Sequence, residues 1–286
     1  MVKPGVPPVP PERRATNDLP FEIVAPSKEA WLKMLVYGRY GVGKTHLAAT
    51  ASEVKAMQNV LFLDAESGQM TLDGFSNVSV VHVGNTQELT TVYAFLKKHG
   101  ELRDRNDTAG LLALEQKVTR TKKTTPTIYR TIVLDSLSEI QRQQIYHITG
   151  VDPSSPDFTM NLPERTLPLW GKIGDQFGLL LRAFRDLPFN VIFVCSANDR
   201  QDETQRVIYT PNLQGKSSLE ILGIVDVVGY LHCTTPATMK ELPRRTLFLS
   251  PTSQFTAKDR YHKSNTVPYI EDNPTMQRFL QLSKKK

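Results

Sequence analysis

Short apolar runs alternate along the chain with longer stretches in which apolar residues return every third or fourth position. Residues 34–37, 60–63, 132–134 and 191–195 are uninterrupted apolar runs, and 78–83 is a weaker one. An unbroken run of this length suits a strand covered on both faces. Between them, Leu89, Val92, Tyr93 and Leu96 fall at helical spacing, as do Leu137, Ile140, Ile145 and Ile148. Trp170, Ile173, Phe177, Leu180, Leu181 and Phe184 mark one face of a strongly amphipathic helix, with Trp170 read as a core anchor. Residues 46–58 form a further helical stretch, and 225–231 and 245–249 read as two later strands, the second at an edge. The pattern predicts an α/β fold with a central, mainly parallel β-sheet flanked by helices on both faces.

Three segments break the alternation. Residues 1–26 hold seven prolines and no apolar block, which predicts a disordered proline-rich arm and argues against a secretory signal. Residues 100–127 are polar and irregular, an expected insertion within a core spanning 27–270. Residues 271–286 end in Lys284, Lys285 and Lys286 and read as a basic tail. Residues 149–168, rich in Pro, Ser and Asp and without periodicity, are expected as a long loop.

Composition narrows the class. The chain has 286 residues, 40% apolar and 22% charged, which suits a water-soluble core. No run of eighteen apolar residues exists, so no membrane partner is expected. Cys195 and Cys233 form no paired motif, consistent with two buried thiols in a reducing cytoplasm. The net charge of +6 suits a polyanionic partner, and Arg120, Lys122 and Lys123 form one local cluster.

The candidate chemistry begins where the first apolar run ends. Gly38, Arg39, Tyr40, Gly41, Val42, Gly43, Lys44 and Thr45 spell G-x-x-x-x-G-K-T between a strand and a helix. Glycines there let backbone N–H groups curl around a phosphate at a helix N-terminus. Lys44 reaches the outer phosphates, the Thr45 hydroxyl holds Mg²⁺, and His46 continues the nucleotide site. The expected ligands are therefore ATP and Mg²⁺. Asp135, closing the run 132–134, is the second expected Mg²⁺ ligand. Ser136 reads either as part of this site or as a plain N-cap. Glu66, just past the run 60–63, is placed to activate the attacking water, with Asp64 as its rival or a turn cap. Past 191–195, Asn198 is favoured over Ser196 as the polar group that senses the γ-phosphate. No Asn-Lys-x-Asp motif follows, which disfavours GTP.

The segments Phe62-Leu63-Asp64-Ala65-Glu66, Leu134-Asp135-Ser136 and Ala257-Lys258-Asp259-Arg260 resemble, in order, pieces of the RecA core. Together with Trp170-Gly171, Gly215-Lys216 and the stretch 225–230, they resemble the phage-encoded, short RecA-core ATPases of Sak type over residues 30–262. The resemblance implies a RecA-like P-loop NTPase that binds and anneals single-stranded DNA in phage recombination. It implies a homo-oligomer with ATP at the subunit interface, in the host cytosol, alongside a single-strand DNA-binding protein. It also assigns Lys258 and Arg260 to the neighbouring subunit's nucleotide and places DNA-binding loops at 149–168 and 199–215. The first loop is acidic, with Asp152, Asp157 and Glu164. The second offers Arg200, Arg206 and Tyr209 against Asp202 and Glu203, a modest single-strand platform. Two other classes stay open: a nucleotide-switched scaffold with negligible turnover, and a small-molecule phosphotransferase.

Overall fold

The computed structural model describes residues 31–153, 157, 166–201, 205–236, 238, 242–261 and 267–282. The chain divides into Met1–Ala30 and Trp31–Lys286. The expected arm, most of the loop 149–168 and the last four residues lie outside the described residues.

The apolar runs become parallel strands. These are β1 (Lys33–Gly38), β2 (Val60–Asp64), β3 (Val78–His82), β4 (Thr131–Asp135), β5 (Asn190–Gln201) and, beyond an antiparallel β6 (Val207–Pro211), β7 (Val227–Cys233). Their order is β7-β1-β5-β4-β2-β3, all neighbours parallel. Past β7 the sheet turns antiparallel through β8 (Arg245–Phe248) and β10 (Tyr269–Ile270), while β9 (Lys258–Asp259) pairs the start of β7.

Both sheet faces are covered, as unbroken apolar runs require. Alternate residues serve opposite cores, because successive strand side chains point to opposite faces. Leu35, Tyr37, Ile132, Leu134, Val191 and Phe193 pack on one side. They meet the helices α2 (Thr86–Asp104), α4 (Leu137–Thr149), α5 (Leu167–Arg185) and α6 (Ser217–Ile224). Met34, Val36, Phe62, Val133, Ile192 and Val194 pack on the other, against α1 (Lys44–Ala49) and α7 (Met276–Gln281). The α/β fold with a mainly parallel sheet between helices, expected from the pattern, is the fold observed.

Several local expectations are corrected. The first helix stops at Ala49 and tightens into a 3₁₀ turn, Thr50–Glu53, instead of running to 58. There the Thr50 hydroxyl donates to Leu47 O (2.7 Å) and accepts Met276 N–H (2.9 Å), so the turn is shaped to receive α7. The expected tail from 271 therefore contains a docked helix, with Met276 and Phe279 fully buried. The expected polar insertion is helical too: α2 runs through to Asp104, and α3 (Thr108–Gln116) follows. Its polar character hides an anchor, since the buried Glu115 carboxylate accepts Thr127 N–H (2.9 Å) and Lys123 Nζ (3.0 Å). The loop expected at 199–215 is largely a hairpin of β5 with β6. On α5, Ile173, Phe177, Leu181 and Phe184 are buried, whereas Trp170 at its first turn is only half-buried. Cys195 is buried, but Cys233 is partly exposed.

Candidate functional site

The order of strands positions the site. Gly38 at the tip of β1 stands beside Ser196 on β5, and Asp135 at the tip of β4 stands beside Asp64 on β2. Gly38, Ser196, Asp135 and Asp64 thus line one carboxyl edge of the parallel sheet, where open α/β sheets bind ligands.

Gly38 is required by a close approach: a Cβ there would lie 2.3 Å from Leu231 O on β7. Gly41 (φ 73°) and Gly43 (φ 95°) take left-handed backbone, which turns the loop into the N-terminus of α1. Val42 is buried under the loop, while Arg39 and Tyr40 are exposed at its outer rim. Lys44 Nζ donates to Gly38 O (3.1 Å) and Arg39 O (2.9 Å), folding across the loop it follows. Burial lowers the Lys44 pKa, opposed by the charges of Asp135 and Glu66. His46 sits in the first turn of α1 with its ring edge-on to Phe75.

Thr45 and Asp135 meet directly, with Thr45 Oγ1 donating to Asp135 Oδ2 at 2.6 Å. Burial pushes the Asp135 carboxyl up to about 6, against the lowering effect of that hydrogen bond. The negative charge of Glu66 raises it further, and Lys44 opposes. A hydroxyl and a buried carboxylate side by side form an oxygen donor set that suits Mg²⁺, which prefers oxygen ligands and keeps several waters. The residues present therefore fit that ion.

Asp64 and Glu66 divide their roles. Asp64 Oδ1 accepts the N–H groups of Glu66 (3.0 Å) and Gly68 (3.2 Å), capping the turn beyond β2. That turn carries Glu66 to Ser136, whose hydroxyl donates to Glu66 Oε1. Ser136 makes no side-chain cap on α4, so its hydroxyl serves the cleft rather than the helix. Lys44, Thr45, Glu66, Asp135, Ser136 and Ser196 surround a cleft of about 290 Å³.

Three expected site residues are not brought there. Asn198 lies two residues past Ser196, paired with Thr210 in the β5–β6 hairpin. Ser196 reaches the cleft instead, because the parallel part of β5 ends there and the strand then leaves the sheet to pair with β6. It is fixed by Ser138 Oγ (2.8 Å) and by Asn212 Nδ2 (3.1 Å). Lys258 and Arg260 lie near the opposite end of the sheet, since β9 pairs with Val227 and Val228, level with Met34 and Leu35. Lys258 Nζ donates to Leu222 O, and Arg260 pairs with Asp226 (3.1 Å) and Gly223 O (3.1 Å). Within one chain they do not meet the cleft.

Arg245, which no sequence motif marks, also reaches the loop, its Nε donating to Val42 O (3.0 Å). With His46, Leu231, Asn273 and Thr275 it bounds a second hollow of about 290 Å³ beside Gly43. No local pattern announces a partner 203 positions away.

Among solved structures, the chain is similar to the RadB recombinase, with 16% identity over 75% of this chain and 78% of that one at a TM-score of 0.37. It is similar to the flagellar accessory protein FlaH from Methanocaldococcus jannaschii, with 11% identity over 75% and 76% at a TM-score of 0.32. A third similarity is to an ATPase from the type III secretion system of pathogenic bacteria, with 15% identity over 70% and 51% at a TM-score of 0.35. No curated protein matches. The AAA domain family AAA_24 matches residues 30–261, a span that holds the whole phosphate-loop cleft. That span makes the chain a member of the AAA domain family, a P-loop NTPase.

Proposed function

We propose that the chain is a Mg²⁺-dependent ATPase of RecA-like type that works on single-stranded DNA as a homo-oligomer. The observation that carries this reading is the convergence of Lys44, the Thr45–Asp135 pair and the Ser136–Glu66 pair on one cleft at the strand tips. The loop amides hold the β-phosphate, and Lys44 turns from the loop carbonyls to the outer phosphates. Thr45 and, through water, Asp135 would hold Mg²⁺, which would supply charge neutralisation for the phosphates. Glu66 accepts a proton from water as the water oxygen bonds to the γ-phosphorus and the bond to the ADP oxygen breaks. Ser136 bonds Oε1 and leaves Oε2 for that water. Ser196, rather than Asn198, is the polar group that faces the γ-phosphate.

Single-stranded DNA is supported by the net charge of +6 and by the family resemblance of the ordered motifs. Lys258 and Arg260, remote from their own cleft, fit a role at the next subunit's nucleotide, with Arg260 as an arginine finger. The phage setting and an annealing role rest on that resemblance alone.

Hydrolysis and binding of ATP by the wild type, Glu66→Gln and Lys44→Ala test the reading. Glu66→Gln is expected to lose turnover by about a hundredfold or more while still binding ATP, and Lys44→Ala to lose both. Undiminished turnover in Glu66→Gln would sink the enzymatic assignment and favour a nucleotide-switched scaffold.

A further inference from the structure

We infer that Arg245 is a positioning residue for the phosphate-binding loop, bracing it against the C-terminal turn that carries Asn273. The inference rests on the nucleotide-binding reading above and adds to it a residue from the antiparallel flank of the sheet.

Arg245 spans two segments. Its Nε donates to Val42 O (3.0 Å), and its Nη1 donates to Asn273 Oδ1 (3.3 Å). Asn273 N–H returns a bond to Arg245 O (3.2 Å). The guanidinium also lies against Gly43: a Cβ there would stand 3.1 Å from Arg245 Nε and 3.4 Å from its Cδ. The turn holding Asn273 is itself pinned. Arg278 Nη1 donates to Glu271 O (2.6 Å) and Asp272 O (2.8 Å), and Met276 N–H bonds Thr50 Oγ1 behind α1.

Peptide geometry gives the brace its effect. The carbonyl of Val42 and the N–H of Gly43 belong to one planar trans peptide, so they point in opposite directions. Holding Val42 O toward Arg245 turns Gly43 N–H to the other side, toward the phosphate cradle. Gly43 (φ 95°) has backbone freedom that a glycine-rich loop would otherwise spend on other orientations. The brace therefore favours phosphate affinity without touching the attacking water, which lies with Glu66 and Ser136.

The experiment measures the dissociation constant for ATP with Mg²⁺ by calorimetry, kcat at saturating ATP, and the nucleotide-free melting temperature. The proteins are the full chain, Arg245→Met, Arg245→Lys and Lys44→Ala. Arg245→Met is expected to bind about tenfold more weakly, with kcat within about twofold of wild type. Arg245→Lys should resemble Arg245→Met, because an ammonium lacks the fork that serves Val42 O and Asn273 together. Wild-type affinity in Arg245→Met overturns the brace, and so does wild-type affinity in Arg245→Lys, which would reduce the residue to its charge. A matched fall in kcat would also overturn it. Should Arg245→Met fail to fold, Asn273→Gly removes the outer anchor at a left-handed position glycine accepts (φ 58°). It is expected to weaken binding about threefold, and unchanged affinity there refutes the brace. Loss of binding in Lys44→Ala beside unchanged Arg245→Met leaves the nucleotide site standing and removes the brace alone. A wild type that binds no ATP defeats both.

Discussion

Lys33 is a lysine on the strand that leads to the phosphate loop, yet it is 9% exposed. Its ammonium donates to Leu187 O (2.8 Å) and Phe189 O (2.6 Å), closing the turn between α5 and β5 at the far end of the sheet. Burial lowers its pKa from 10.5 to about 8, against the raising effect of Asp186 and Asp226. Between those values the unfolded chain holds a proton that the folded chain has released, so stability gains from rising pH. Wild type should therefore gain stability over Lys33→Met between about pH 8 and pH 10, by on the order of 1 kcal/mol per pH unit. Urea melts of both proteins across that range check it, and parallel pH curves would refute it. At the same scale, the sequence made the loop and its acidic partners legible because each closes a local pattern: glycine spacing, or a carboxylate after an apolar run. Ser196 against Asn198 was not legible. Which of two nearby polar residues faces the cleft depends on where β5 leaves the parallel sheet for β6, and that departure is a tertiary event.

At the scale of elements, unbroken apolar runs made the parallel strands legible, since burial on both faces leaves one reading. The short pieces were hidden. β9 and β10 have two residues each, and α7 has six, too few for a period to show. Helix α7 forms because its first turn is capped, Thr275 Oγ1 accepting Arg278 N–H (3.2 Å), and because Met276 and Phe279 fill the core beside α1. The lysines that made the segment look like a tail lie just beyond it. Phe279→Ala should cost about 3 kcal/mol in denaturant unfolding, as expected for a fully buried phenylalanine. A loss under about 1 kcal/mol would mean the helix adds little to the core.

At the scale of the whole molecule, Lys258 and Arg260 are too far from their own cleft to serve it, and their proposed work is at a neighbouring subunit. The double substitution to alanine should leave ATP affinity in dilute monomer unchanged. It should lower the ATPase rate of concentrated protein with single-stranded DNA by about a thousandfold or more, within the range known for arginine fingers. Rates equal to wild type under assembled conditions would rule out the trans assignment. Among the described residues no helix is long and apolar enough to cross a membrane. All of this turns on one placement, a triphosphate between the loop and Asp135. A crystal structure with Mg²⁺ and a non-hydrolysable ATP analogue tests it most directly. The β-phosphate is expected within hydrogen-bonding distance of the amides of Gly43 and Lys44, with Mg²⁺ on Thr45 Oγ1. An analogue bound elsewhere, or a metal away from Thr45 and Asp135, would contradict it.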